Sequence, residues 1–166
     1  LAFNSNFTSY SIQSTAITHA NSISIYSSWA LSYICRKLCI DELPLVSSVV
    51  RKRIQFIKKR KDEFNEYRKI YMCEDVNDKA TPDEMLDNLL LSLNLDDLNN
   101  QSYVLKTLGC GVYALNAVKC VQSDAKTYLT QDNLYKEIQI NVVNQGGDSS
   151  TNACVSGAVL GSWLGY

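Results

Sequence analysis

Proline is scarce in this chain of 166 residues, and its scarcity leaves long helices possible. Only two prolines occur, Pro44 and Pro82. Because proline breaks the interior of a helix, the stretches away from these positions can form uninterrupted helices. An excess of one charge is also lacking, since 16 Lys and Arg residues stand against 17 Asp and Glu residues. The composition therefore excludes a strong overall field that would attract nucleic acid or an anionic membrane.

Long apolar runs are absent as well. The most apolar stretch, residues 153–166, is interrupted by Ser156 and Ser162. It falls short of the roughly 20 residues that a membrane-spanning helix needs. Its glycines at positions 157, 161 and 165 are typical of close contact between helices. We therefore predict a buried core helix and no membrane partner.

Residues for metal binding or nucleophilic catalysis are few. The six cysteines, at positions 35, 39, 73, 110, 120 and 154, do not follow the spacing of a zinc site. Reduced thiols favour an intracellular location, which we expect to be cytoplasmic. His19 is the only histidine, so any mechanism that needs two is excluded. Taken alone, His19 can be a ligand contact or simply a polar residue before a helix.

A basic segment from Arg51 to Lys61 is the candidate for a nucleic-acid contact. It is rich in lysine and arginine, but Asp62, Glu63 and Glu66 follow at once. Mixed charge of this kind is typical of a solvated helix face. We therefore do not expect nucleic acid as a partner, and any such contact is predicted to use this segment.

Two glycines, an acid and three hydroxyl residues stand before the C-terminal apolar stretch, at positions 146–151. Gly147 lets the backbone approach a ligand closely. Asp148, Ser150 and Thr151 offer hard oxygen ligands to a cation such as Mg²⁺. Asp, Ser and Thr also cap helix N-termini, and the spacing alone leaves both interpretations open.

Three segments together resemble the ADP-ribosylglycohydrolase family. Residues 145–165 are similar to its C-terminal signature, Gly-Gly-Asp-Thr-Asp-Thr followed by a helix of small residues. Thr18 and His19 look like its Leu-Thr-His motif, which precedes a long helix. Residues 108–118 are similar to the segment that lies against the adenosine end of ADP-ribose. Three short motifs in the family's order are more specific than any one of them.

The resemblance implies hydrolysis of a glycosidic bond that joins ADP-ribose to a side chain or to another ribose. ADP-ribose or an ADP-ribosylated protein would be the partner, and two Mg²⁺ ions serve as cofactors in the family. Asp148, Ser150 and Thr151 are then the metal candidates. The remaining positions implied to contact the ligand are His19, Gly109, Gly111, Val112 and Gly147.

Two departures from the family pattern limit what the resemblance implies. Residues 1–166 correspond only to the C-terminal portion of the family's domain. The earlier portion carries an acidic metal motif, a glutamate thought to act in catalysis and a glycine-rich loop, so the catalytic residue is unassigned. The chain opens at Leu1 without Met. We therefore expect that it is part of a longer product or that it belongs to a larger assembly. The front part of a longer product would hide any targeting signal.

The second departure is Ser150, which stands where the family has an aspartate. Two Mg²⁺ ions close together need carboxylates to offset their repulsion, so we expect one ion here or none. An alternative interpretation is a catalytically inactive relative, structural or partner-binding, that kept the scaffold.

The predicted fold is all-α, in the manner of the ADP-ribosylglycohydrolase domain, with the ligand cleft formed by loops at helix ends. About seven helices are expected on the basis of apolar periodicity and capping signals. They span residues 8–15, 22–39, 45–71, 82–93, 111–122, 131–143 and 151–164.

Overall fold

The structure, a computed structural model, describes residues 6–20, 22–40, 42, 95–96, 98, 101–123 and 131–165. Within these residues every regular element is an α-helix, which confirms the all-α prediction. The five helices are α1 (Phe7–Ala16), α2 (Ser22–Leu38), α3 (Val104–Ser123), α4 (Gln131–Asn144) and α5 (Ser149–Leu164). The predicted helices at 45–71 and 82–93 lie outside the described residues.

Four of the five helices begin and end within two residues of the predicted positions, and α3 is the exception. It begins at Val104 rather than Gly111, about two turns earlier. Gly109 and Gly111 lie inside this helix, although glycine is a poor helix former. Leu105, Leu108 and Leu115 are buried along the same helix. Burial of this apolar face stabilises the helix by more than the glycines cost.

The last helix, α5, is the centre of the packing. It contacts α2, α3 and α4, and its most extensive contact is with α3. Small residues permit these close approaches: a Cβ at Gly157 would lie 3.2 Å from the Tyr135 hydroxyl oxygen and 3.3 Å from Gln139 Nε2, both on α4. The predicted core role of this stretch is confirmed by the full burial of Val159 and Leu160. No helix among the described residues is long and apolar enough to cross a membrane.

Helices α1 and α2 form an antiparallel pair that packs on α5 through α2. Trp29 of α2 stacks on Tyr33, with ring centroids 5.5 Å apart, and its indole N–H donates to the Thr8 hydroxyl of α1 at 3.2 Å. The Arg36 guanidinium lies 4.7 Å from the centroid of the Phe7 ring. These contacts fix the position of α2 against α1, and α2 supplies one wall of the cavity described next.

Candidate functional site

A cavity of about 750 Å³ lies between the α1–α2 turn and the start of α5. The end of α1 and the following turn contribute hydroxyls and His19, while α2 contributes serines and Leu31. The first two turns of α3 supply Val104, Thr107 and Leu108. Asp148, Thr151 and Val155 complete the wall from α5. Segments that are far apart in the sequence therefore meet at one site.

Asp148 holds the start of α5 at the cavity wall. Its carboxylate oxygen Oδ1 accepts hydrogen bonds from the Thr151 backbone N–H at 3.4 Å and from the Ser150 hydroxyl at 3.3 Å. Hydrogen bonds from Thr151 lower the pKa of this carboxyl below its ordinary value of 3.8. Asp148 is therefore a helix cap that remains ionised at neutral pH, and it faces the cavity as well. The two interpretations of this residue are compatible.

The glycines before Asp148 make the turn that brings it there. Gly146 and Gly147 both have positive φ, at 77° and 67°. A Cβ at Gly147 would collide with the backbone carbonyl oxygen of Leu95, and one at Gly146 would lie 2.8 Å from the Asp96 carboxylate. Neither residue has room for a side chain without a shift of its neighbours, and a positive φ strains any other residue. Gly147 thus packs on residues 95–96 and does not line the cavity.

His19 reaches the cavity from the turn that follows α1. The end of α1 is extended by a hydrogen bond from the His19 backbone N–H to the Thr15 carbonyl at 2.8 Å. The side chain is exposed, and its Nδ1 lies 3.0 Å from the Thr18 hydroxyl oxygen. A hydroxyl partner on one ring nitrogen leaves Nε2 available to a ligand.

Three of the predicted positions lie inside α3. Gly109, Gly111 and Val112 are buried and do not line the cavity, whose α3 wall ends at Leu108. A Cβ at Gly111 would lie 3.1 Å from Val155 Cγ1 and 3.4 Å from Val159 Cγ2. In this structure Gly111 serves the close packing of α3 on α5. Ser150 is exposed and points to Asp148, so of the predicted residues the cavity brings together His19, Asp148 and Thr151.

Several lining residues were not predicted from the sequence, and most of them carry hydroxyls. Ser24, Ser27 and Ser28 lie at one face of α2, and Thr107 occupies the facing wall of α3. The signal that could have found them is the spacing of three serines at i, i+3 and i+4 along α2. Asp148 is the one carboxylate among the described lining residues, and no lysine or arginine is among them. The described wall therefore carries several hydroxyl groups on a mostly apolar surface, and it has no lysine or arginine.

The four cysteine side chains that the structure describes add no reactive group to this site. Cys35, Cys39, Cys110 and Cys154 are free, and none of them lines the cavity. Burial raises the pKa of the Cys110 thiol to about 11 and also raises the pKa of Cys35. Both thiols stay protonated near neutral pH, and a protonated thiol is a poor nucleophile.

Comparison with known families decides the assignment that the motifs suggested. The family model for ADP-ribosylglycohydrolase matches residues 2–166 of this chain. The chain belongs to the ADP-ribosylglycohydrolase family. The prediction of this family from three short motifs is thereby confirmed, and the match extends over nearly the whole chain. No curated protein and no solved structure matches it.

Membership of the ADP-ribosylglycohydrolase family gives the cavity a chemical context. Two of the three motifs contribute directly to its wall, through His19 after α1 and through Asp148 and Thr151 at α5. The third motif contributes Leu108, its first residue, and Thr107 lies directly before it in the wall. The segments that resemble the family therefore meet at this cavity.

Proposed function

We propose that the cavity binds the ADP-ribose part of an ADP-ribosylated molecule and that the full protein hydrolyses the glycosidic bond at which it is attached. The observation that carries this proposal is the convergence of His19, Asp148 and Thr151 on one cavity in a chain of this family. A volume of about 750 Å³ is within the usual range for a small-molecule site. His19 and the hydroxyl groups offer hydrogen bonds to ribose.

The donor set at α5 fits one Mg²⁺ ion better than two. Among the described residues there is no group of three or more His, Cys, Asp or Glu side chains placed to share a metal. Asp148 and Thr151 offer one carboxylate and one hydroxyl at the cavity. Mg²⁺ is commonly held by one or two carboxylates, with the remaining positions filled by water and substrate oxygens. When bound there, Mg²⁺ would supply positive charge that orients ribose hydroxyls and a water molecule.

The chain's own contribution is to keep an ionised carboxylate at a fixed place. The hydrogen bonds from Thr151 and Ser150 orient the Asp148 carboxylate and favour its charged form. Orientation by a second set of hydrogen bonds is the usual support for a metal ligand or a ribose contact. Thr151 supports Asp148 with both its hydroxyl and its backbone N–H, and the hydroxyl oxygen keeps lone pairs that a cation at the cavity wall can use.

A second function is favoured by Ser150. The family pattern has an aspartate at this position, and here the hydroxyl of Ser150 bonds to Asp148 instead of lining the cavity. Loss of that carboxylate weakens the case for paired metal ions and for turnover. The alternative proposal is a relative that keeps the scaffold without hydrolysing its ligand, in a structural or partner-binding role.

Calorimetric titration of the full natural protein with ADP-ribose, with and without Mg²⁺, tests the first proposal. We expect binding that Mg²⁺ strengthens, and a loss of that Mg²⁺ effect in Asp148→Asn. Asparagine is as good a helix cap as aspartate, so the substitution removes the charge while it keeps the start of α5. Glu137→Gln is the matched control, because it removes an exposed acid on α4 away from the cavity.

Hydrolysis of ADP-ribosylated peptides by the same protein separates the two proposals. Turnover that Asp148→Asn abolishes supports the hydrolase. Binding without turnover, unchanged by Ser150→Asp, supports the inactive relative. Absence of ADP-ribose binding under both Mg²⁺ conditions contradicts the proposed ligand.

A further inference from the structure

Helix α2 presents a wall of serines to the cavity. Ser24, Ser27 and Ser28 line it together with Leu31, and these positions recur at i, i+3, i+4 and i+7 on one helix face. Elsewhere on α2, Ile25, Tyr26 and Ile34 are fully buried in the core. The buried side of α2 therefore packs in the core, while its serine stripe does not pack on another of the described helices. That stripe faces an internal space large enough for a ligand.

Ser27 is the unusual member of this serine wall. It is only 4% exposed, and its hydroxyl oxygen has no hydrogen-bond partner. Serine and threonine inside helices commonly donate to a carbonyl one turn earlier, and Thr15 of α1 does so, to the Ser11 carbonyl at 2.8 Å. A buried hydroxyl without a partner costs folding free energy, and among the described residues Ser27 is the one such group that also lines the cavity.

The charged residues at the cavity indicate which chemical groups of a ligand could be the partner of Ser27. Asp148 is the one carboxylate among the described lining residues, and lysine and arginine are not represented among them. Phosphate groups are usually held by arginine, lysine or several backbone N–H groups. Hydroxyl side chains instead suit sugar hydroxyls, to which they donate and from which they accept.

We propose that the serine wall of α2 binds a ribosyl group of the ligand, with Ser27 forming the innermost hydrogen bond and the phosphates lying away from this wall. The Ser27 oxygen is covered in the free chain, so this hydrogen bond requires rotation about χ1 to another staggered position. This inference rests on the proposed function for its ligand, ADP-ribose, and it adds the part of the ligand that α2 recognises.

Ser27→Ala tests the inference in the full natural protein, with Ser11→Ala as the matched control. Ser11 is also buried, at 1% exposure, and its hydroxyl also lacks a partner, but it does not line the cavity. Both substitutions remove an unpaired hydroxyl, so neither should lower the melting temperature of the free protein. We expect Ser27→Ala alone to weaken binding of ADP-ribose and of adenosine, by about tenfold.

Calorimetric titrations with ADP-ribose, adenosine and inorganic pyrophosphate give outcomes that separate this inference from the proposed function. Unchanged affinity of Ser27→Ala for both ribosyl ligands would overturn the inference while ADP-ribose binding still supports the function. Pyrophosphate bound as tightly as adenosine would also overturn it. Adenosine bound by the wild type and weakened by Ser27→Ala, without any ADP-ribose binding, would support the serine wall and contradict the proposed function. If the wild type binds none of the three, both fail.

Discussion

The glycines before α5 and the glycines inside α3 differ in backbone conformation. Gly146 and Gly147 have positive φ and turn the chain so that Asp148 reaches the cavity. Gly109 and Gly111 lie within a continuous helix, and Gly111 makes room for Val155 of α5. The sequence suggested a ligand site at both places. In both places glycine allows two parts of the chain to approach closely, with the Leu95 carbonyl at Gly147 and Val155 at Gly111, and neither glycine lines the cavity.

The largest effect is expected from Gly147→Ala. Alanine at φ of 67° is strained, and its Cβ would collide with the Leu95 carbonyl, which is backbone and cannot rotate away. We expect a loss of about 3 kcal/mol in the free energy of unfolding, measured by chemical denaturation. ADP-ribose binding should fall with it, because Asp148 and Thr151 follow directly in the chain.

Gly146→Ala is the control for this prediction. It shares the positive φ, at 77°, but its Cβ would meet the side chain of Asp96, which is exposed and can move. A loss of about 1 kcal/mol is therefore expected from backbone strain alone. Equal losses in the two variants would show that the contact with Leu95 does not matter.

A smaller effect is expected from Gly111→Ala. Its Cβ would lie 3.1 Å from Val155 Cγ1, so the Val155 side chain or the two helices must shift slightly. Overpacking of this kind costs about 1–3 kcal/mol, and the better helix propensity of alanine returns about 1 kcal/mol. We expect a net loss of about 1 kcal/mol in the free energy of unfolding and no change in ADP-ribose affinity.

Gly161→Ala measures how much alanine stabilises the helix when its side chain meets no neighbour. No atom lies within 4 Å of its would-be Cβ, so only the propensity gain of about 1 kcal/mol remains. A clear loss of ADP-ribose affinity in Gly111→Ala at nearly unchanged stability would contradict the assignment of Gly111 to helix packing. It would return Gly111 to the ligand site that the motif predicted.

Most of the described helices could be predicted from local signals in the sequence, whereas the cavity could not. Four helices were predicted within two residues at each end, because apolar periodicity and the Asp148 cap are readable in the sequence. The start of α3 was missed, since burial of Leu105 and Leu108 is a tertiary effect that outweighs the glycine propensity.

The candidate site was partly readable for the same reason. Asp148, Thr151 and His19 carry motif signals at helix ends, and they line the cavity. Ser27 lies within α2 and belongs to no motif, and its burial without a partner exists only after the helices around the cavity pack together. The serine wall is thus a property of the packing, whereas the start of α5 is a property of the local sequence.

The smallest expected effect concerns the charge on Asp148. Hydrogen bonds from Thr151 lower its pKa in the folded chain below the ordinary 3.8. A carboxyl whose pKa is lowered by folding stabilises the fold above its unfolded pKa, and that contribution is lost as the pH falls through the folded value. Denaturation of wild type and Asp148→Asn between about pH 7 and about pH 3 should therefore show the wild type losing its small advantage only at the acid end. A difference between the two proteins that stays constant across this range would mean that Asp148 caps α5 without any benefit from its charge, and would leave the ligand as the one reason for an acid here.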